Sequence, residues 1–497
     1  MSEENKNLSQ IIGYRIDKLN KLREMGFDPF PYRFDPNHKS TEILNNFKKL
    51  EKKDVCIAGR IMALRKMGKA SFMQLMDDKG QIQIFIKRDS VGEKIYECFK
   101  LMDIGDFVGI NGFVFKTKTG EISVHAEKFT VLSKSIRPLP IVKEKEGEVY
   151  DAFKDKELKY RNRHLDLIVN SDTRDVFRKR TQIISEIRMT LDSKQFLEVE
   201  TPVLQPIYGG ANARPFTTHH NALEQKLYLR IADELYLKRL IIGGFEKVYE
   251  MSKDFRNEGM DRNHNPEFTM LEFYWAYADY RDCMMLVEKI IRNAAKKIGE
   301  LKIKWGEFDI DLSKKFENKT FYGLLEEAIG SDISMMNEDE LFEICNDNNI
   351  KIQKDSNIGQ LLDALMGNLV EPKLINPTFV IDYPKSISPL AKTKRDGSKD
   401  IVERFELFIG GSEFANSFTE LNDPIDQRER LEQQAELRDR GDEEAQPVDE
   451  EFIRAMEAGM PPTGGVGIGI DRLVMLLTNN RWIRDVILFP TMRIEKD

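Results

Sequence analysis

The sequence predicts an α+β protein: a small all-β barrel of the OB type, then a mixed, largely antiparallel sheet with flanking helices. Two observations predict it. Between Val55 and Leu132, short β-rich runs follow one another with turn residues between them. From Tyr160 onward, β-rich pieces alternate irregularly with long helical patterns, without the regular βαβ repeat of a parallel sheet.

In chain order, residues 1–50 form a helical segment. Leu8, Ile11, Ile12, Ile16, Leu19, Leu22 and Met25 recur at helical spacing, and Gly26, Pro29 and Pro31 stop the pattern. Residues 51–140 form the β module, with runs at Val55–Gly59, Gln81–Ile86, Phe107–Ile110 and Ile122–His125, broken by Asp77-Asp78-Lys79-Gly80 and Lys118-Thr119-Gly120. About five strands in roughly 80 residues suit an OB-type barrel, with a small sandwich as the alternative. Pro138, Pro140 and the charged stretch Lys143 to Glu148 mark a linker at 141–155. The second domain, 156–497, has β-rich pieces at 245–255, 267–276, 378–383, 402–410 and 414–421. Residues 423–458 alternate in charge sign along a helical pattern and read as a solvated surface helix.

Composition narrows the class. With 497 residues, 41% apolar and 32% charged, the chain is a globular protein of two or three domains and neither disordered nor fibrous. No apolar run approaches the ~18 residues that span a bilayer, and the start lacks a signal-peptide pattern, so a cytoplasmic protein without a membrane partner is expected. Cys56, Cys98, Cys283 and Cys345 are scattered, with neither a disulfide framework nor a zinc-type pair. The net charge of −8 is uneven: residues 1–140 carry 25 Lys+Arg against 18 Asp+Glu, or +7, leaving 51 against 66, or −15, for the rest. A basic module on an acidic whole suits a nucleic acid held at one end, since phosphate attraction acts over roughly a Debye length; a chance surface excess is the alternative.

The chemistry concentrates in three stretches. The first runs from Phe245 to Trp275 as strand, polar loop, strand. On the second strand Phe268, Met270, Glu272 and Tyr274 share one face, while Thr269, Leu271, Phe273 and Trp275 share a core face. An inward Glu272 costs several kcal/mol unless a cation partners it, either a structural Arg or Lys or a ligand. The second stretch, Glu413 to Leu421, places Asn416, Phe418 and Glu420 on one face at spacing two. A small cationic ligand would serve both carboxylates, and an anionic one would be repelled. In the third, glycines at 465, 467 and 469 precede a helical pattern from Leu473, which permits close backbone approach to a ligand or tight helix–strand packing. It matches neither the dinucleotide fingerprint nor the P-loop.

Together these stretches resemble the class II aminoacyl-tRNA synthetases, nearly end to end. The family's first motif is similar to Phe196-Leu197-Glu198-Val199-Glu200-Thr201-Pro202, its second to Phe255-Arg256-Asn257-Glu258 with the loop to Phe268, and its third to Gly465-x-Gly467-x-Gly469-x-Asp471-Arg472. A leading barrel narrows the resemblance to the subclass charging lysine, aspartate or asparagine. Gly209–Leu223 and Asn416–Asp423 are similar to its lysine-charging members, of bacterial type in lacking a long basic N-terminal extension. The resemblance implies ATP, L-lysine and tRNA(Lys) as substrates, Mg²⁺ as cofactor and a homodimer whose interface the first motif lines. Arg256, Glu258 and Arg472 would act in catalysis and, with His264, Asn265 and Phe268, hold ATP. Lysine would be held by Gly210, Glu234, Arg256, Glu272, Tyr274, Asn416, Phe418 and Glu420, and Mg²⁺ by Glu406 and Glu413. An ammonium group needs carboxylates around it, whereas an aspartate enzyme should present a cation, and no cation stands on the Glu272 and Glu420 faces.

In the barrel, Phe72 and Gln83 on adjacent β segments, with Arg65 nearby, combine stacking, base-edge and basic groups, a surface for single-stranded RNA. The family's anticodon contacts fall at these positions. His219-His220 lacks further ligands at a zinc-like spacing. The rival readings are an aspartyl or asparaginyl enzyme, a protein-modifying relative of the catalytic domain alone, and a non-catalytic RNA-binding descendant.

Overall fold

The computed structural model describes every residue except 1–2, 141–142, 146–147, 151–152, 355, 440–446 and 496–497. Two structural units divide the chain, Met1–Lys154 and Asp155–Asp497.

In the first unit, strands β1 (Asp54–Met67), β2 (Ala70–Met76), β3 (Gln81–Lys87), β4 (Phe107–Lys116) and β5 (Ile122–Ser133) close into a barrel of order β1-β2-β3-β5-β4. All pairs are antiparallel except β3 with β5. Closure follows from strict alternation: Ile82, Ile84 and Ile86 of β3 point inward onto Val55, Ile57 and Val124, and every second residue faces out. Helix α1 (Glu3–Glu24) is present, but only part of its apolar stripe is used. Leu19 and Leu22 are buried, whereas Ile11 and Ile16 are both 41% exposed. A charged residue takes a buried place instead: the Arg15 guanidinium donates to the carbonyls of Ile104, Ser135 and Arg137, which satisfies donors that burial would otherwise leave unpaired. The expected linker overlaps residues outside the described set, and its described part is a short hairpin of Lys143–Lys145 with Glu148–Tyr150.

The second unit is built on an eight-stranded sheet. Its strands are β6 (Leu197–Glu198), β7 (Lys247–Phe255), β8 (Glu267–Ala276), β9 (Glu317–Thr320), β10 (Thr378–Pro384), β11 (Ile401–Ile409), β12 (Ser412–Thr419) and β13 (Thr463–Gly469), in the order β9-β10-β11-β12-β13-β8-β7-β6. The two edge pairs are parallel and the five inner pairs antiparallel. Helices α2 (Ser171–Asp192), α4 (Tyr280–Lys297) and α7 (Ile470–Leu477) cover one face, sealing a core that contains Ile187, Leu271, Phe273, Val287, Phe405, Val466 and Val474. Helix α3 (Glu234–Ile242) packs against β7 and β8 through Leu237 and Ile241.

The glycine run forms strand β13, between β8 and β12, and leads directly into helix α7, in keeping with its place ahead of a helical pattern. One expectation changes. The stretch 423–458 is not one solvated helix: α5 (Pro424–Asp439) and α6 (Glu450–Glu457) are separate, and 440–446 lie outside the described residues. Phe452, Ile453 and Met456 of α6 are buried together with Leu431 and Leu235, an apolar stripe that the surrounding charges mask in the sequence. Among the described residues no helix is long and apolar enough to cross a membrane.

Candidate active site

The open face of the sheet holds a cavity of about 380 Å³. Strand β8 supplies Phe268, Met270, Glu272 and Tyr274 to it, the face that alternation assigned, while Leu271 and Phe273 go to the core. From β12 come Asn416 and Phe418, with Glu420 just past its end, and from β11 Arg404 and Glu406. Gly210, Glu234, Arg256, Glu258, His264, Asn265, Glu413 and Arg472 also line it, so every residue singled out for amino acid, nucleotide or metal sits around one cavity.

Strand β13 makes the room. Val466 and Ile468 face the core, so Gly465, Gly467 and Gly469 face the cavity. A Cβ on Gly465 would stand 2.0 Å from Glu420 Oε1 and 2.5 Å from Tyr274 Cε1, and one on Gly467 would stand 3.2 Å from Met270 Cε. A side chain at 465 would therefore occupy the space in which Glu420 and Tyr274 meet.

One end of the cavity is dense with acid. Glu272 is 6% exposed and accepts from the Tyr274 hydroxyl at 3.3 Å and from the Asp233 backbone N–H at 3.4 Å. Asp233, Asp254 and Glu272 bring ligand oxygens within 4.8 Å of one another. Arg230 holds this group, at 2.7 Å from Glu250, 3.0 Å from Asp233 and 3.4 Å from Asp254. Beside it, the Lys238 ammonium lies 2.5 Å from both Glu234 and Glu420. Six buried carboxylates (Asp233, Glu234, Glu250, Asp254, Glu272 and Glu420) thus share two buried cations, Arg230 and Lys238. Burial, with the neighbouring acids, drives the carboxyls toward their neutral forms: Glu272 well above its ordinary range, Asp233 to about 8 and Asp254 to about 6. Burial lifts Glu420 to about 8 against the pull of Lys238.

The other end is cationic and more open. The half-buried Arg256 lies with its guanidinium 5.2 Å above the Phe268 ring and its Nε donating to the Ile231 carbonyl at 3.4 Å. Arg472, at the start of α7, donates to the Glu413 carbonyl at 2.7 Å and lies 3.2 Å from His264 Nε2. Its neighbour Asp471 is structural, accepting from the Thr269 N–H at 2.6 Å and pairing with Arg180 at 2.6 Å. Asn265 is buried, its amide donating to the Glu267 carbonyl at 2.6 Å while Oδ1 has no partner. Glu258 stands exposed at the rim. Glu406 and Glu413 come from adjacent strands; burial and the Glu413 charge raise Glu406, while Arg404 and Tyr383 hold it by hydrogen bonds.

On the barrel, Arg65 pairs in register with Phe72, and Phe72 with Phe85, all facing outward. The Phe72 and Phe85 rings lie tilted against each other at 5.0 Å, and Phe85 continues to Phe115 and His125 at 5.9 and 5.1 Å. Phe113 joins through His125 at 4.9 Å. The Gln83 amide donates to Glu121 at 2.7 Å and its oxygen accepts from Ser123 at 2.9 Å. His219 and His220 are exposed on a hairpin strand, Thr217–His220, and no metal-type group among the described residues includes them.

The sequence reading missed Arg230, Asp233, Lys238, Asp254 and Arg404. The Glu272 and Glu420 strand faces carry no cation, but Lys238 reaches Glu420 from helix α3. Alternation on β11 could have found Arg404, two residues before Glu406, since both face the cavity; Lys238 carries only the weak signal of an i,i+4 partner to Glu234. In the first motif, Phe196 turns into the core against Phe273 and Trp275, while Leu197, and just past the motif Val203 and Leu204, stay exposed at 46%, 39% and 48%.

Comparison with known proteins agrees with this geometry. Residues 155–493 match the family of tRNA synthetases class II (D, K and N), and residues 55–132 match the OB-fold nucleic acid binding domain. The chain is similar to the lysine–tRNA ligase of Porphyromonas gingivalis, 51% identical over 493 residues that cover 97% of this chain and 85% of that one. It is also similar to the lysine–tRNA ligase of Carboxydothermus hydrogenoformans, 50% identical over 492 residues that cover 99% of both.

Proposed function

Because this chain belongs to the class II tRNA synthetases of the aspartate, lysine and asparagine group, we propose that it is a lysine–tRNA ligase. The observation that carries the choice of lysine is the buried charge imbalance: six carboxylates against two cations at one end of the cavity. An entering ammonium group would relieve it and return Glu272 and Glu420 to their charged forms, whereas a side-chain carboxylate would add to it. Glu234, beside Gly210, suits the α-amino group, and Glu420 with Glu272 and Tyr274 suits the side-chain ammonium. Asn416 and Phe418 wall the aliphatic part.

In the first step the lysine carboxylate attacks the α-phosphorus of ATP, the bond to the bridging oxygen breaks, and pyrophosphate leaves with lysyl-adenylate in place. In the second, the terminal ribose hydroxyl of tRNA(Lys) attacks the lysyl carbonyl and AMP leaves. Both steps move negative charge, so fixed cations and positioning supply the acceleration. The planar fork of Arg256 reaches toward the α-phosphate and the amino-acid carboxylate. Phe268 stacks on adenine, the unpartnered Asn265 Oδ1 accepts from its amino group, and Arg472, His264 and Glu258 complete the nucleotide site. The donors at Glu406 and Glu413 fit Mg²⁺, being hard oxygen ligands on paired strands, with Arg404 and Arg472 as their present partners. Mg²⁺ there would neutralise charge on the phosphates.

The barrel face of Phe72, Gln83 and Arg65 binds the anticodon bases. Exposed Leu197, Val203 and Leu204, beside the edge strand β6, support a homodimer formed on the first motif. The site of action is the cytoplasm. ATP–pyrophosphate exchange by the purified protein, with magnesium and each amino acid in turn, tests the reading. Lysine alone is expected to drive exchange; exchange driven by aspartate or asparagine would overturn the specificity, and none at all would favour a non-catalytic RNA-binding descendant.

A further inference from the structure

Lys238 is fully buried on α3, in a helix that otherwise turns Leu235, Leu237 and Ile241 inward. A buried ammonium is costly unless well paired, and a charge pair of purely structural use is readily replaced by apolar side chains. Lys238 does not form such a closed pair. Its Nζ lies 2.5 Å from Glu234 Oε1 and 2.5 Å from Glu420 Oε2, so one cation bridges two carboxyl groups. Both carboxylates line the cavity, whereas Lys238 does not. It stands behind them. A Cβ at Gly465 would touch Glu420 Oε1 from the other side, so Glu420 is held between Lys238 and the bare backbone of β13.

We infer that Lys238 is a positioning residue for amino-acid recognition: it fixes Glu234 and Glu420 relative to each other, ready for the α-amino and side-chain ammonium groups of the substrate. The inference rests on the lysine reading above. One nitrogen contacting both carboxylates keeps their contacting oxygens within the sum of two 2.5 Å contacts, which sets the spacing of the two amino-group sites. Among the described residues the groups facing Glu420 are Lys238 and Glu234 of α3, Tyr274 of β8 and Cys283 of α4; β13 offers none, and Lys238 is the cation among them.

The sign of the pH dependence follows. Glu420 has its carboxyl raised to about 8 by burial, and an ammonium binds its charged form, so the KM for lysine should fall as pH rises toward 8. Removing the cation that favours the charged form should move that fall to higher pH. The test is the full chain with Lys238→Met, in lysine-dependent ATP–pyrophosphate exchange from pH 6.5 to 9. The expected result is a lysine KM raised about tenfold at pH 7, with its fall displaced upward by about one pH unit and the KM for ATP unchanged. An unchanged lysine KM and profile would overturn the inference, as would a uniform loss of kcat with the profile intact. If the parent chain itself shows no lysine-driven exchange, the lysine reading fails and not this inference alone. Should Lys238→Met not fold, the double variant Lys238→Met/Glu420→Gln, which removes cation and acid together, is compared with Glu420→Gln. A lysine KM raised about three- to tenfold over the single variant with the KM for ATP unchanged is expected, because Lys238 still positions Glu234 there; an unchanged lysine KM, or an equal rise in the KM for ATP, would overturn it.

Discussion

The cavity and the outer face of the barrel meet their ligands by opposite means. In the cavity the recognising groups are buried charges: Glu272, Glu420 and Lys238 are almost inaccessible, and acids outnumber the cations beside them. On the barrel they are half-exposed rings, Phe72, Phe85, Phe113 and Phe115, with neutral Gln83 and exposed Arg65 at the margin. The difference teaches how ligand size selects chemistry. A small cation that can be wholly enclosed is best recognised by a charge deficit in a low dielectric, where a missing partner is expensive. A flexible single strand cannot be enclosed, and every base has a face on which an aromatic ring can stack.

The largest effect should come where fixed charge meets the reacting phosphate. Arg256→Ala removes a guanidinium that lines the cavity between Phe268 and the Ile231 carbonyl. Loss of one donor to a developing oxyanion lowers kcat by about a hundred- to a thousandfold. Single-turnover formation of lysyl-adenylate should fall by at least that much; retained activity would break the contrast by showing that positioning alone runs the chemistry.

A second, smaller effect separates shape from charge within the cavity. In Gly465→Ala the new methyl meets Glu420 Oε1 at 2.0 Å and Tyr274 at 2.5 Å, neither of which can move without losing its place around the ammonium. Overpacking of this kind costs about 1–3 kcal/mol. The lysine KM in exchange should rise by roughly ten- to a hundredfold while the KM for ATP holds. Gly467→Ala meets only the flexible end of Met270, at 3.2 Å, and should change the lysine KM far less. Equal effects of the two would show that backbone room in general, and not the space shared by Glu420 and Tyr274, governs binding.

How far each region is legible in the sequence follows the same division. Period-two alternation exposes Glu272, Tyr274, Asn416 and Glu420, because a strand displays its inward residues at fixed spacing whatever lies opposite. The barrel was legible for the same reason, its five strands being short, regular and broken by turn residues. Lys238 and Arg15 were not, since a charged residue on a helix reads as surface and only the fold brings the carboxylates or carbonyls that justify its burial. Glu250 and Asp254 share a face of β7, but Arg230, which pairs with both, lies on a separate segment, and only the fold brings cation and acids together. The strand character of the glycine run was hidden because its inward positions carry no side chain at all.

The smallest effect belongs to the barrel and tests whether its aromatic face acts apart from the chemistry. Phe72 lies half-buried on β2, tilted against Phe85 at 5.0 Å, with Arg65 opposite it in register. Its ring is one of a connected group, so Phe72→Ala leaves Phe85, Phe113 and Phe115 in place and the inward-facing core of Ile82, Ile84 and Ile86 untouched. Stacking of one base on one ring is worth about 1–3 kcal/mol, so the KM for tRNA(Lys) in aminoacylation should rise by roughly five- to a hundredfold. Lysine-dependent pyrophosphate exchange, which needs no tRNA, should be unchanged. Loss of both activities together would make Phe72 a folding residue and erase the division of labour between open stacking face and closed charged cavity; an unchanged tRNA KM would place base recognition on the remaining rings instead.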